Sequence, residues 1–345
     1  MSLSQKAIFS GAFAVVICSS SPSATAQTNS AVFYKGSTIR HIVGYPTGAT
    51  FDTYSRSLAR HMGRHIPGAP NIVIQNMPGA GSLVATNYLA NAAPRDGSVI
   101  GMLNPVNTVD PLLNPQQSKF DARKFAWIGS MNTEISTCGF WSSKVKTVDD
   151  LLSKEVIVGA TGPSAGSTLD SRIIASVLGL KFKIVTGYPG LTEARLAAQQ
   201  GEVDGHCGLV VSSLKADLWD DYKKGSFTVP LQMGLNKHPD LPDVPNAFDL
   251  VKTEQDRQVL TLIFGPWAYG RPVLAPEGIP EDRLTVLRSA FVATLKDDAF
   301  LAEARKLNLE IQPLPPEVIR DTVARIYQTP DDVIQRTRKI LGITQ

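Results

Sequence analysis

Gly44 to Asp52 reads GYPTGATFD. It follows a β-branched run, Ile39 to Tyr45, and opens a segment in which Phe51, Tyr54, Leu58 and Met62 recur at helical spacing opposite a stripe of Arg56, Arg60 and Arg64. Strand, glycine-rich turn and amphipathic helix in that order make the repeating unit of an α/β fold. The turn contains no Lys or Arg. Free N–H groups at a helix start, with the positive end of the helix dipole, hold a carboxylate or phosphate without a cationic side chain. Gly159 to Thr168, GATGPSAGST, repeats the pattern after the run Val156 to Ala160. Ser167 and Asp170 are its expected capping pair, and Gly179 the stop of its helix. Two such cradles offer hydrogen bonds and no reactive group, so they predict binding and release.

Working outward, Asn71 to Gln75, Ser98 to Leu103, Phe182 to Val185 and Thr228 to Met233 also read as strands. Several are too continuously apolar to be half exposed, which suits mainly parallel sheets flanked by helices. The stretch AWIGSMNTEISTCGFW, Ala126 to Trp141, reads as an extended passage from one lobe to another, with a second passage near Pro245 to Lys252. Lobe one is then 27–131 plus 253–345 and lobe two 132–252, joined by a hinge of two crossings beside a cleft. The helical segments Pro280 to Lys296, Ala299 to Leu307, Glu317 to Tyr327 and Asp331 to Leu341 are expected to pack mostly on lobe one.

In an open α/β sheet a ligand sits beyond the carboxyl ends of the strands. The loops there supply the candidate ligand-binding residues. Tyr45, Pro46, Thr47, Gly48, Ala49, Thr50, Phe51 and Asp52 come from the first, and Gly81 and Ser82 from NMPGAGS. Thr161, Ser164, Ala165, Gly166, Ser167 and Thr168 come from the third, and Tyr188, Pro189 and Gly190 from GYPGLT; Asn104 and Cys207 complete the set. Asp52 reads as an N-cap that orders its loop by accepting backbone N–H bonds. Phe51 either lines the mouth of the site or starts the core stripe with Tyr54 and Leu58.

The chain has 345 residues, with 34 Lys and Arg against 31 Asp and Glu. No basic cluster is dense enough for nucleic acid or a membrane surface. Lys6, the apolar Ala7 to Ile17 and the small-residue site Ala24-Thr25-Ala26 read as a secretory signal over residues 1–26, cleaved near Ala26, which sends a monomeric protein to the periplasm. A lipid anchor on Cys18 is disfavoured, because Ile17 stands where that signal needs a small residue. Cys138 and Cys207 then lie in an oxidising compartment, either bonded or as separate buried thiols.

Two other chemistries compete. Gly162-Pro163-Ser164-Ala165-Gly166 fits GxSxG between a strand and a helix, the setting of a hydrolase nucleophile, with His206 and His238 as the available bases. His206 shares an alternating strand with Asp204, and His238 lies in a proline-rich loop where a base is hard to hold, so a secreted serine hydrolase is the alternative and a non-enzyme the expectation. His61 and His65 stand one helical turn apart, yet the sequence offers no nearby third ligand. They read as solvated histidines, and neither metal nor cofactor is expected.

Gly44 to Asp52, Gln75-Asn76-Met77-Pro78-Gly79-Ala80-Gly81, Ala93-Pro94-Arg95-Asp96-Gly97, Gly201-Glu202-Val203-Asp204 and Leu274 to Pro280 (LAPEGIP) follow one another along nearly the whole mature chain. In that order they resemble the signatures of the Bug-type, TctC-like extracytoplasmic receptors of tripartite tricarboxylate transporters. The resemblance implies a two-lobed, type II-like periplasmic binding protein. Such a protein closes on a small organic acid, a carboxylate or dicarboxylate, and delivers it to a membrane permease of that transporter. It also implies that the loop Tyr45 to Asp52 binds one carboxylate through backbone groups and that Thr161 to Thr168 supplies hydroxyls and amides from the second lobe. Three departures stand out: Ala49 replaces a second adjacent glycine, Phe51 a small residue, and Cys207-Gly208-Leu209 stands where an acidic or amide group is common.

Overall fold

The structure, a computed structural model, describes residues 30–141, 143–162 and 165–343. The expected export segment and its cleavage site, and the candidate Ser164, lie outside them.

Among the described residues, ten strands form two five-stranded mixed sheets. They are β1 (Thr38–Val43), β2 (Asn71–Asn76), β3 (Val99–Met102), β4 (Ala126–Ser130), β5 (Ser136–Phe140), β6 (Glu155–Ala160), β7 (Lys181–Thr186), β8 (Gly205–Val210), β9 (Thr228–Met233) and β10 (Pro272–Ala275). Sheet one has the order β2-β1-β3-β10-β4 and sheet two β7-β6-β8-β5-β9. In each, three neighbours run parallel and one strand, β10 or β5, is antiparallel to both its neighbours. These reversed strands are the two by which the chain changes sheets. β4 runs up to the junction and β5 starts from it; β9 runs up and β10 starts back. The carboxyl ends of the parallel strands of both sheets therefore point toward one junction.

Burial follows strand position. All four residues of the inner strand β3 are buried, whereas the edge strands β2 and β7 alternate, with Lys181 and Lys183 outward on β7. Charged side chains on an edge discourage pairing with another chain. The stripe Phe51, Tyr54, Leu58 and Met62 of the helix Thr50–Met62 is buried against sheet one, and the helix Leu83–Asn91 covers the opposite face. Sheet two is covered by the helices Gly166–Leu178 and Val211–Asp217. Gly179, in the left-handed region at φ 70°, ends the former as the sequence predicts.

The helices Glu281–Thr294, Asp298–Lys306 and Pro316–Ile326 pack on the first half. Asp331–Leu341 departs from the expected packing on lobe one: its Ile334 and Leu341 join the apolar cluster of Ile173 and Val158, and Arg172 donates to the Leu341 carbonyl at 2.7 Å. Cys138 and Cys207 face each other across the β5–β8 pair, with Cα atoms 4.0 Å apart, and are bonded. The passage Ala126 to Trp141, read as an extended run from one lobe to another, contains β4 of sheet one and β5 of sheet two, neither of which was read as a separate strand. Continuous burial on both faces erased the alternation that marks a half-exposed strand.

Candidate functional site

Three loops of sheet one converge beyond β1, β2 and β3. The helix after β1 starts at Thr50 behind Ala49, which makes no side-chain cap. Asp52 is thus not the N-cap but lies in the first turn, and from there its buried carboxylate accepts the Gly48 N–H at 2.9 Å, Asn76 Nδ2 at 2.8 Å and Arg56 Nε at 2.8 Å. Burial alone raises its pKa, but these hydrogen bonds and the Arg56 charge outweigh it, so the group stays below the ordinary carboxylate range. Asn76 also donates to the Tyr45 carbonyl at 2.8 Å and accepts from Thr47 Oγ1 at 3.1 Å. Gly48 holds φ +86° in open space, so its backbone, not crowding, calls for glycine.

Gly44 is a glycine for the other reason. A Cβ there would lie 1.8 Å from Ser82 Oγ. That hydroxyl accepts the Asn104 N–H at 3.3 Å, and Asn104 Nδ2 donates to the Tyr45 hydroxyl at 2.7 Å. Burial pushes that phenol up to about 12, with Arg271 pulling the other way. The Tyr45 and Phe51 rings stack at 4.5 Å. Tyr45, Phe51, Ser82 and Asn104 are brought together, with Gly81 beside them at φ +62° and Pro46, Thr47 and Gly48 exposed at the rim. Phe51 is buried, which selects the core-stripe reading.

In sheet two the hydroxyls turn inward. Ser167 Oγ accepts the Thr161 N–H at 3.1 Å, and Thr168 Oγ1 donates to the Gly162 carbonyl at 2.6 Å, so both side chains shape their own loop. Ala165 precedes the helix without a side-chain cap, and Gly166 begins it. The expected Ser167–Asp170 capping pair does not form. Asp170 instead accepts from Ser136 Oγ at 2.6 Å, fully enclosed, and burial raises its pKa to about 7. Tyr188 packs over Gly159 and against the Ala197, Ala198 and Val203 cluster; Pro189 is exposed, and Gly190 precedes the helix Leu191–Gln199. Cys207 does not offer a thiol to a ligand, being buried in the disulfide. Gly208, at φ +82°, lets the chain pass Ser167, whose Cα would sit 2.9 Å from an added Cβ.

The halves meet at the predicted site residue Thr50 and at Ser213, where the sequence reading placed none. Thr50 Oγ1 lies 3.3 Å from Ser213 Oγ, in the helix Val211–Asp217 that follows β8. Next to this contact, the buried Arg271 pairs with Glu134 at 3.1 Å and donates to Ser212 Oγ at 2.9 Å, while its guanidinium sits 4.3 Å from the Phe51 ring centre. Ser212 and Ser213 carried a usable signal, since VVSSL continues an apolar run into a helical start. Arg271 carried none: only the reversed β10 brings it behind the first loop.

The competing chemistries find little support. His206 is buried, which lowers its pKa to about 4. His238 is held firmly after all, contrary to the loop argument: its Nδ1 accepts the Asp240 N–H at 3.1 Å and its Nε2 lies 3.6 Å from Glu310. His238, Asp240 and Glu310 bring possible metal-ligand atoms within 4.8 Å of one another. Lys215 Nζ, however, stands 2.5 Å from Asp240 and 3.8 Å from Glu310, supplying the positive charge a metal would bring. His61 and His65 are not simply solvated; they pair with Glu303 at 2.8 Å and Asp297 at 3.2 Å, beside Arg60 and Arg64.

No known family model and no curated protein matches the chain. Solved structures do. A TctC solute binding protein from Polaromonas is 18% identical with a TM-score of 0.66, over 88% of this chain and 99% of that one. The periplasmic binding protein BugD is 20% identical with a TM-score of 0.65, over 90% and 99%. MatC from Rhodopseudomonas palustris, solved with bound malate, is 20% identical with a TM-score of 0.61, over 88% and 98%. The chain thus has the two-lobed fold of the TctC and BugD periplasmic binding proteins.

Proposed function

We propose that the protein is a periplasmic solute receptor of the Bug and TctC kind. It captures a small carboxylate or dicarboxylate between its halves and hands it to a tripartite tricarboxylate-type permease. The halves are 27–131 with 253–345, and 132–252, save that the helices Glu254–Phe264 and Asp331–Leu341 pack against the second; the mature chain begins after Ala26 and acts as a monomer. One observation carries the reading: strand ends of both sheets converge on a rim where Thr50 and Ser213 approach to 3.3 Å. The ionic groups nearest that rim are neutralised in pairs, Asp52 with Arg56 and Glu134 with Arg271. An acid ligand there meets amides and hydroxyls from Tyr45 to Asp52, Ser82, Asn104 and Thr161 to Thr168. The malate in MatC and the disulfide's fit to an oxidising compartment both support this.

The test is a thermal-shift screen of malate, succinate, adipate, benzoate and their neutral amides, followed by calorimetry. An acid at a hundred times its dissociation constant adds about 2.7 kcal/mol of stability, and its amide adds none. If no acid raises the melting temperature and a fluorophosphonate labels Ser164, the binding reading falls to the hydrolase.

A further inference from the structure

The geometry points to Arg271 as a positioning residue that fixes the first cradle to the start of the helix Val211–Asp217, so that the gap between the halves has one width. Arg271 immediately precedes β10 and is fully buried. On one side its guanidinium lies 4.3 Å from the ring centre of Phe51 and 5.1 Å from that of Tyr54, both on the helix after β1. On the other, Nη2 reaches Glu134 Oε1 at 3.1 Å and Ser212 Oγ at 2.9 Å. The circuit closes on itself. Glu134 Oε2 accepts the Ser212 N–H at 3.2 Å, and Oε1 accepts Asn132 Nδ2 at 3.0 Å, a group that also lies 3.3 Å from the Tyr54 hydroxyl.

The chains that carry this circuit are pressed together. Glu134 donates its N–H to the Trp267 carbonyl at 2.8 Å, and Met131 to that of Arg271 at 3.0 Å. A Cβ on Gly270 would lie 2.2 Å from Glu134 Cγ. Desolvating two charges is costly, and apolar groups of the same shape commonly serve stability as well. What apolar groups lack is direction. The planar guanidinium stacks on aromatic faces and donates in fixed directions at once, which joins Phe51 to Ser212 at a defined separation. The paired Glu134 cancels its charge, so the coupling adds no net charge beside an acid ligand.

The inference rests on the binding reading, but its test needs no ligand, so either can fail alone. Cysteines placed at the exposed Asn91 and Glu202 carry nitroxide labels, and pulsed EPR reads the distance between the halves in the ligand-free chain with its disulfide intact. Wild type gives one narrow distance. Arg271→Met and Arg271→Lys, the latter keeping charge but not the planar fork, broaden it, and amide exchange over residues 50–54 and 211–215 accelerates about tenfold or more. A folded Arg271→Met with unchanged distance and exchange overturns the assignment. Should that variant not fold, Ser212→Ala removes one bond of the circuit: a broadened distance that Ser212→Thr restores supports the assignment, and an unchanged one overturns it.

Discussion

Asp52 shows what a single side chain does for a loop made mostly of glycine and small residues. Its carboxylate gathers Gly48, Asn76 and Arg56. Asp52→Ala is therefore expected to weaken binding of whichever acid the thermal screen finds by about tenfold or more, and to speed exchange of the Gly48 amide; calorimetry at wild-type affinity would refute it. Asp170 offers a test in pH. Its carboxyl moves from the ordinary 3.8 to about 7 on burial. Between those values the folded chain keeps a proton the unfolded chain has lost, so this group's contribution to stability falls as pH rises and its penalty is complete above about 7. Asp170→Asn should gain on the order of 4 kcal/mol over wild type at pH 8 and almost nothing at pH 4 in urea unfolding. The loop-ordering role of Asp52 was legible in its sequence position. Its partner Asn76 was not, because it comes from the end of another strand.

At the level of elements, the sequence showed most of the parallel strands and several long helices, including Asp331–Leu341, whose ends match the reading, but not Glu254–Phe264. β10, only four residues and wholly buried, was missed, since so short an apolar run carries no period. The polar face with His61 and His65 illustrates a different blindness. Helical spacing identified the stripe, but nothing local shows that the helix Asp298–Lys306 lays Glu303 and Asp297 along it. In the cradle, the contact of loop with loop predicts that Gly44→Ala costs about 1–3 kcal/mol, the usual range for overpacking, because its new Cβ meets the Ser82 hydroxyl. Chemical denaturation measures this, and an unchanged midpoint would show that the second loop yields freely.

Across the whole molecule the two halves were legible as an α/β pair, while the machinery that joins them was not. Glu134, Ser212 and Arg271 are far apart along the chain and meet because two reversed strands cross at one place. The bond between Cys138 and Cys207 staples the second half over a separation of 69 residues. On the chain-entropy account its loss costs about 4 kcal/mol. The double variant Cys138→Ser, Cys207→Ser should therefore show a lower urea midpoint, which reductant does not lower further; a midpoint equal to wild type would count against a stabilising staple.

The placement of Asp331–Leu341 has a temporal consequence. Sheet one waits for β10, and the apolar cluster under sheet two waits for Ile334 and Leu341. The second half cannot finish its interior while the C-terminal helix is still being synthesised. That half stays loose until its final turn emerges.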